Sequence, residues 1–134
     1  MKTNDRFLET ALEAFAGWQF SPRSTRRNLL QAWVSTLKAG SEAMAQAITR
    51  ETGKPITLAR GELLRAQDTL HATFEALSCF GEEAVPYDLM AGAEGCRATF
   101  RRFPRGVIMA ITPFNFPVNL AMHKLSPAVG AGCA

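Results

Sequence analysis

The sequence predicts an α/β fold in which N-terminal helices give way to the first strand and crossover helix of a parallel sheet. Three features carry this reading. Apolar residues recur at spacings of three and four through most of residues 1–82, the stretch VPYDLMAGAEG then interrupts that pattern with a proline and two glycines, and the unbroken apolar run VIMAI follows at Val107–Ile111. Helical periodicity marks elements packed on one face, whereas a short continuous apolar run marks a strand covered on both. The chain accordingly divides into a helical part, 1–82, a loop and β-segment, 83–104, and a buried strand with its crossover helix, 105–134.

The first helix is predicted from Leu8, Ala11, Leu12 and Phe15, one buried stripe ending near Gly17. Ser21-Pro22 reads as an N-cap with proline at the first helical position. Leu29, Leu30, Trp33, Val34 and Leu37 form the apolar face of the second helix. Ala39-Gly40-Ser41 suggests a break and a new cap, after which Met44, Ala47 and Ile48 restore the period. Gly53 suits a left-handed helix end and Pro55 a helix start. Leu63, Ala66, Leu70, Phe74 and Leu77 then describe a long helix closing near Gly81.

Beyond the VPYDLMAGAEG loop or hairpin, RATFRRF alternates as a half-exposed strand would. After VIMAI, a parallel strand requires a crossover. Leu120, Ala121, Lys124, Leu125 and Ala128 supply its helix, with a kink expected at Pro127. The GxG of Gly130 and Gly132 follows a helix and opens none, so it reads as a helix end and not as a dinucleotide fingerprint.

Composition narrows the function classes. A hydrophobic fraction of 47% with 20% charged residues fits a globular chain. No apolar run reaches the roughly 18 residues of a membrane span, and MKTNDRFLET lacks a signal peptide's apolar stretch, so a cytoplasmic location is the expectation. Cys79, Cys96 and Cys133 are odd in number and widely spaced, which suits reduced structural thiols and suggests no zinc site or other metal. The net charge of +3 is uneven: Arg97, Arg101, Arg102, Arg105 and Lys124 face no acid from Cys96 onward. That segment reads as a basic strand face. A nucleic-acid-binding module is disfavoured because neither a helix-turn-helix nor an aromatic-interleaved basic platform is evident.

The most informative stretch is ITPFNFP, Ile111–Pro117. Asn115 stands where a buried strand meets a helix start, the position at which ligands bind in open α/β sheets. Its amide donates two hydrogen bonds, which suits a developing oxyanion. It also suits a helix cap, and composition alone favours the cap.

The segment PRGVIMAITPFNFPVNLAMHKLSPAVGAGCA resembles the start of the nucleotide-binding domain of the aldehyde dehydrogenase superfamily. RETGKP, Arg50–Pro55, resembles that family's E-T-G-K-P segment, and the likeness runs from about Trp18 to Ala134. PFNFPVNLAMHK is nearest in style to lactaldehyde and phosphonoacetaldehyde dehydrogenases. The resemblance implies a Rossmann-like domain, an aldehyde substrate and NAD or NADP as cofactor. It assigns Asn115 as oxyanion-hole donor, lays the backbone of Ile111, Thr112, Pro113 and Phe114 along the nicotinamide riboside, and makes 97–103 part of an oligomerisation β-structure joining like subunits.

The family's cysteine nucleophile in G-Q-x-C, glutamate base in E-L-G-G and cofactor-binding lysine in K-P-S/A match nothing in residues 1–134. Cys133 corresponds to a helix-to-strand turn, and Glu51 to the structural E-T-G-K segment. The expectation is an inactive chain on its own, prone to self-association through an uncovered VIMAI edge. The alternative is a non-catalytic short form that pairs with full-length subunits.

Overall fold

The computed structural model describes the backbone of residues 2–134 and side chains from Arg6 onward. Its elements are α1 (Lys2–Trp18), α2 (Arg23–Thr52), α3 (Ile56–Ala76), a 3-10 turn (Leu77–Cys79), β1 (Glu83–Val85), β2 (Ala98–Phe100) and α4 (Pro117–Ala131). Helices α2 and α3 form an antiparallel pair, and α4 lies against both.

The core is the meeting of three helical stripes. Leu30, Val34, Leu37, Ala45 and Ile48 of α2 face Ala59, Leu63, Ala66 and Leu70 of α3, with Leu77 closing one end. Ala59 and Ala66 are fully buried, which lets the helix backbones approach closely. Val118 and Met122 of α4 pack onto the edge of this cluster beside Trp33 and Ile56. Each fully buried leucine is worth about 1.5–3 kcal/mol of transfer free energy, so this seam organises the molecule.

The α3 stripe follows the predicted spacing, with Phe74 half-buried under the Arg27 guanidinium. Gly53 ends α2 at φ 72° as expected. Other expectations are corrected by packing. Residues 39–41 do not break α2, which runs unbroken for 30 residues. Ser41 Oγ donates back to the Leu37 carbonyl and accepts from Gln67 of α3, so it braces the helix instead of capping one. Burial of Leu37 and Ala45 on either side outweighs the roughly 1 kcal/mol that Gly40 costs a helix.

Ser21 does not cap α2 either. Its hydroxyl bonds the Trp18 carbonyl, and Pro22 occupies the cap position. Pro55 likewise stands before α3, not in its first turn. α3 ends at Ala76, short of Gly81, because the 3-10 turn takes over at Leu77. The stripe expected to bury α1 is also open: Leu8 and Leu12 are about half exposed. Helices α2, α3 and α4 satisfy one another, and α1 is fastened at its end by Trp18 Nε1 donating to the Val129 carbonyl at 3.1 Å.

β1 and β2 form an antiparallel hairpin, with Glu83 opposite Phe100 and Val85 opposite Ala98. The basic run beyond it is paired with acids: Arg101 with Glu82, and Arg102 with Glu83.

The predicted strand VIMAI differs most from expectation. It is not buried, since Met109 is 84% and Ile111 75% exposed. Two hydrogen bonds show what it is geometrically. Ala134 N donates to the Gly106 carbonyl, and Ile108 N donates to the Ala134 carbonyl at 2.7 Å. The two bonds have the pattern of a parallel pairing between Val107 and Ala134, while the sheet of the described residues consists of β1 and β2. A continuous apolar run is buried when helices cover both faces of its sheet, and Met109 and Ile111 lack such cover here.

Leu70→Ala is expected to lower stability by about 2–5 kcal/mol in chemical denaturation, whereas Leu12→Ala should change it by less than about 0.5 kcal/mol. Glu42, held by Arg60 and Gln46, has its pKa lowered to about 2. A depressed carboxylate pKa adds stability that is present above the unfolded value and lost as pH falls through the folded one. Carboxyl NMR should therefore place the Glu42 midpoint near 2, and Arg60→Met should return it towards the ordinary range.

Candidate functional site

The helical spacing that buries Ala59, Leu63 and Ala66 also carries Glu62 inward, and this carboxylate is 1% exposed. Glu62 Oε1 accepts from the backbone N–H of Val118 at 2.9 Å and of Asn119 at 3.2 Å. These are the second and third residues of α4, whose first turn leaves N–H groups without intrahelical partners. Phe116 occupies the N-cap position without a side-chain cap, and Pro117 has no N–H to offer. The cap of α4 is thus supplied from another helix.

Glu62 Oε2 meets Lys54 Nζ at 2.5 Å. Removing an ionised carboxylate from water costs several kcal/mol unless it is paired and hydrogen-bonded. Here one cation, two amides and the positive end of a helix offset that cost. The left-handed turn at Gly53 and the proline at 55 place Lys54 between α2 and α3, with its side chain only 13% exposed. Lys54 Nζ also donates to the Asn115 carbonyl at 2.9 Å, across 61 residues of sequence, and sits 3.9 Å from the centre of the Phe116 ring.

Asn115 therefore lies in the turn before α4 with its main chain tied down and its side chain at the surface. It is not the helix cap that composition favours, because Glu62 fills that role. Ile111, Thr112, Pro113 and Phe114 form an exposed row leading into it, with Phe114 83% exposed. Such a row can lie along a ligand. The N-terminus of α4 beside it cannot also receive a phosphate, since a carboxylate already occupies its free amides.

Below the first turn a polar seam joins α3 to α4. Thr69 donates to Asn119 Oδ1 at 3.1 Å and lies 3.3 Å from His123 Nε2, while Thr73 and Ser126 hydroxyls meet at 2.9 Å. At the far end, Arg26 reaches the carbonyls of Gln19 and Gly130, at 2.9 Å and 3.5 Å. Burial, with Arg23 nearby, lowers the Arg26 pKa from the ordinary arginine value. Gly132 ends α4 at φ 93°, and a Cβ there would stand 2.6 Å from the Arg26 guanidinium. All three cysteines are free, and buried Cys133 accepts from Arg105 N at 3.3 Å. Among the described residues no group of three His, Cys, Asp or Glu side chains could hold a metal, and no helix is long and apolar enough to cross a membrane.

Lys54 and Glu62 escaped the sequence reading. Glu62 was detectable as a carboxylate on the apolar stripe of its helix. The contact of Lys54 with the Asn115 carbonyl was not, because it joins residues 61 positions apart.

Solved structures identify the fold to which this arrangement belongs. The chain aligns over 98% of its length with aldehyde dehydrogenase 21 from Physcomitrella patens, solved with the reaction product succinate, at a TM-score of 0.93 and 35% identity, covering 27% of that chain. A glyceraldehyde-3-phosphate dehydrogenase from Methanocaldococcus jannaschii, complexed with NADP, aligns over 98% of the chain and 28% of its own, at a TM-score of 0.88 and 29% identity. The sequence profile described as aldehyde dehydrogenase family matches residues 2–134, and the chain belongs to that family.

Among its relatives are a sulfoacetaldehyde dehydrogenase of Neptuniibacter caesariensis, 40% identical over 93% of this chain and 28% of its own length, and a 3-sulfolactaldehyde dehydrogenase of Priestia aryabhattai, 40% identical over 84% and 24%. The chain spans about a quarter of the length of the curated relatives it matches.

Glu62→Ala should cost about 3–5 kcal/mol by leaving Lys54 without its partner and α4 uncapped. Glu62→Gln, which keeps an acceptor for both amides, should cost clearly less in the same denaturation measurement. Gly132→Ala should lower the melting temperature through the left-handed backbone and the contact with Arg26; an unchanged melt would overturn both causes.

Proposed function

We propose that this chain supplies the oxyanion-stabilising turn of an NAD(P)-dependent oxidation of an aldehyde to a carboxylic acid. The observation that carries the reading is the exposed Asn115 side chain, free of the capping role because Glu62 takes it, on a main chain anchored by Lys54. The Asn115 amide donates to the carbonyl oxygen of the aldehyde as a nucleophile adds, so its dipole faces charge that grows in the transition state. The exposed backbone of Ile111–Phe114 lies along the nicotinamide riboside. NAD(P)+ is the hydride acceptor of the reaction. Its diphosphate binds elsewhere than the N-terminus of α4, which Glu62 occupies.

In this reading residues 1–82 are a helical support, 83–104 an oligomerisation segment and 105–134 the first strand and crossover of the Rossmann-like domain. Arg97–Phe103 joins like subunits, and the exposed Phe100 and Phe103 are in keeping with that. The substrate is a small-molecule aldehyde. The relatives named for sulfonated aldehydes fit the company suggested by PFNFPVNLAMHK, lactaldehyde and phosphonoacetaldehyde. The cysteine nucleophile and glutamate base match nothing in residues 1–134, so these residues alone are inactive. An alternative role for them is a non-catalytic form that pairs with full-length subunits through the same segment.

In a longer polypeptide carrying the nucleophile and base, Asn115→Ala should lower kcat on the order of 10²–10³-fold, with the protein still folded and cofactor affinity little changed. A kcat within twofold of the parent would remove Asn115 from the chemistry. The 134-residue chain should form no NAD(P)H from any aldehyde above a control bearing the Asn115 substitution. Turnover by this chain would overturn its assignment as non-catalytic.

A further inference from the structure

We infer that Lys54 is a positioning residue for Asn115, acting from a different helix junction and charge-balanced by Glu62; this rests on the oxyanion role proposed for Asn115. The geometry is specific. One ammonium group is shared between the Asn115 carbonyl at 2.9 Å and Glu62 Oε2 at 2.5 Å, while its charge lies 3.9 Å from the centre of the Phe116 ring. The other oxygen of the same carboxylate holds the first free amides of α4.

The residue that would act on substrate and the helix that follows it are thus fixed to one another through a single ion pair. Asn115 precedes the N-cap residue, outside the intrahelical hydrogen-bond ladder, and neighbouring Phe114 is exposed. Without Lys54, the peptide unit after Asn115 loses its restraint from α2 and α3. A donor aimed at a transition state must be held before the reaction begins, because reorienting it during the reaction consumes the stabilisation it offers.

A simple Lys54 substitution would leave Glu62 buried without its cation and confuse misfolding with misplacement. The test therefore uses the double variant Lys54→Met/Glu62→Gln in the longer polypeptide carrying the nucleophile and base. The Gln amide oxygen still accepts from Val118 and Asn119, and no buried charge is stranded. The expected result is a fall in kcat of about 10- to 100-fold, the scale of a misplaced catalytic group, with the melting temperature within a few degrees of the Glu62→Gln single variant and the Kd for NAD(P)+ unchanged. Lys54→Arg, which restores a cation and donors, should recover most of the loss.

A readout independent of activity is the amide of Phe116, which reports on the Asn115 carbonyl. Its NMR shift should move further in the double variant than in Glu62→Gln, where Lys54 can still donate to the Asn115 carbonyl. A folded double variant with undiminished kcat, or an unmoved Phe116 amide, would overturn the proposal. If Asn115→Ala were itself without effect on kcat, the oxyanion reading would fail instead, and the Phe116 shift would still decide whether Lys54 restrains the turn. A kcat loss that Lys54→Arg leaves uncorrected would also count against the ion pair as its cause.

Discussion

The carboxylate of Glu62 is the point from which the functional end of this molecule is built. It is almost wholly withdrawn from water, so its charge must be answered inside the protein, and the answers come from Lys54 and from two amides of α4. Each solves a problem of its own by doing so. The helix gains an acceptor for donors that its own sequence, FPVN, leaves without one. The lysine gains a partner that holds it at the α2–α3 junction, from where it reaches the turn before α4. The opposite end of α4 follows the same electrostatic logic with the sign reversed: Arg26 lies at the carbonyl-rich terminus. A helix dipole favours a negative group at its start and a positive one at its end, and here α2 and α3 provide both.

The helical half of the fold was legible in the sequence because it is written in local periodicity. The buried stripe from Leu63 to Leu77 and the left-handed end at Gly53 are properties of a few neighbouring residues, and they appear where expected. What misled the reading was punctuation. Gly40-Ser41 and Ser21-Pro22 carry the composition of breaks and caps, yet Ser41 braces a continuous helix and Ser21 bonds backwards to Trp18. A hydroxyl's choice among nearby backbone partners is settled by tertiary packing. The apolar runs of α1 and VIMAI misled for another reason: periodicity tells which face is apolar and not whether anything lies against it.

The candidate site was half legible. The ITPFNFP stretch drew attention to Asn115, but its residue type suits two roles, and local composition alone favours the cap. What Glu62 decides is the cap alone, since a helix already capped from α3 has no need of a cap from its own turn. With the cap supplied from α3, the exposed amide of Asn115 is left open to the role proposed for it.

The connection that holds the turn joins residues far apart in the chain. Glu62 and Val118 are separated by 56 positions, whereas the Glu42–Arg60 pair that fastens α2 to α3 spans only 18. Loop closure makes the longer link the later one to form. The α2–α3 hairpin can therefore assemble as an early nucleus with Glu62 and Lys54 already paired, a preformed socket into which the start of α4 docks afterwards. The turn before α4 then acquires its shape only once the helix behind it has docked.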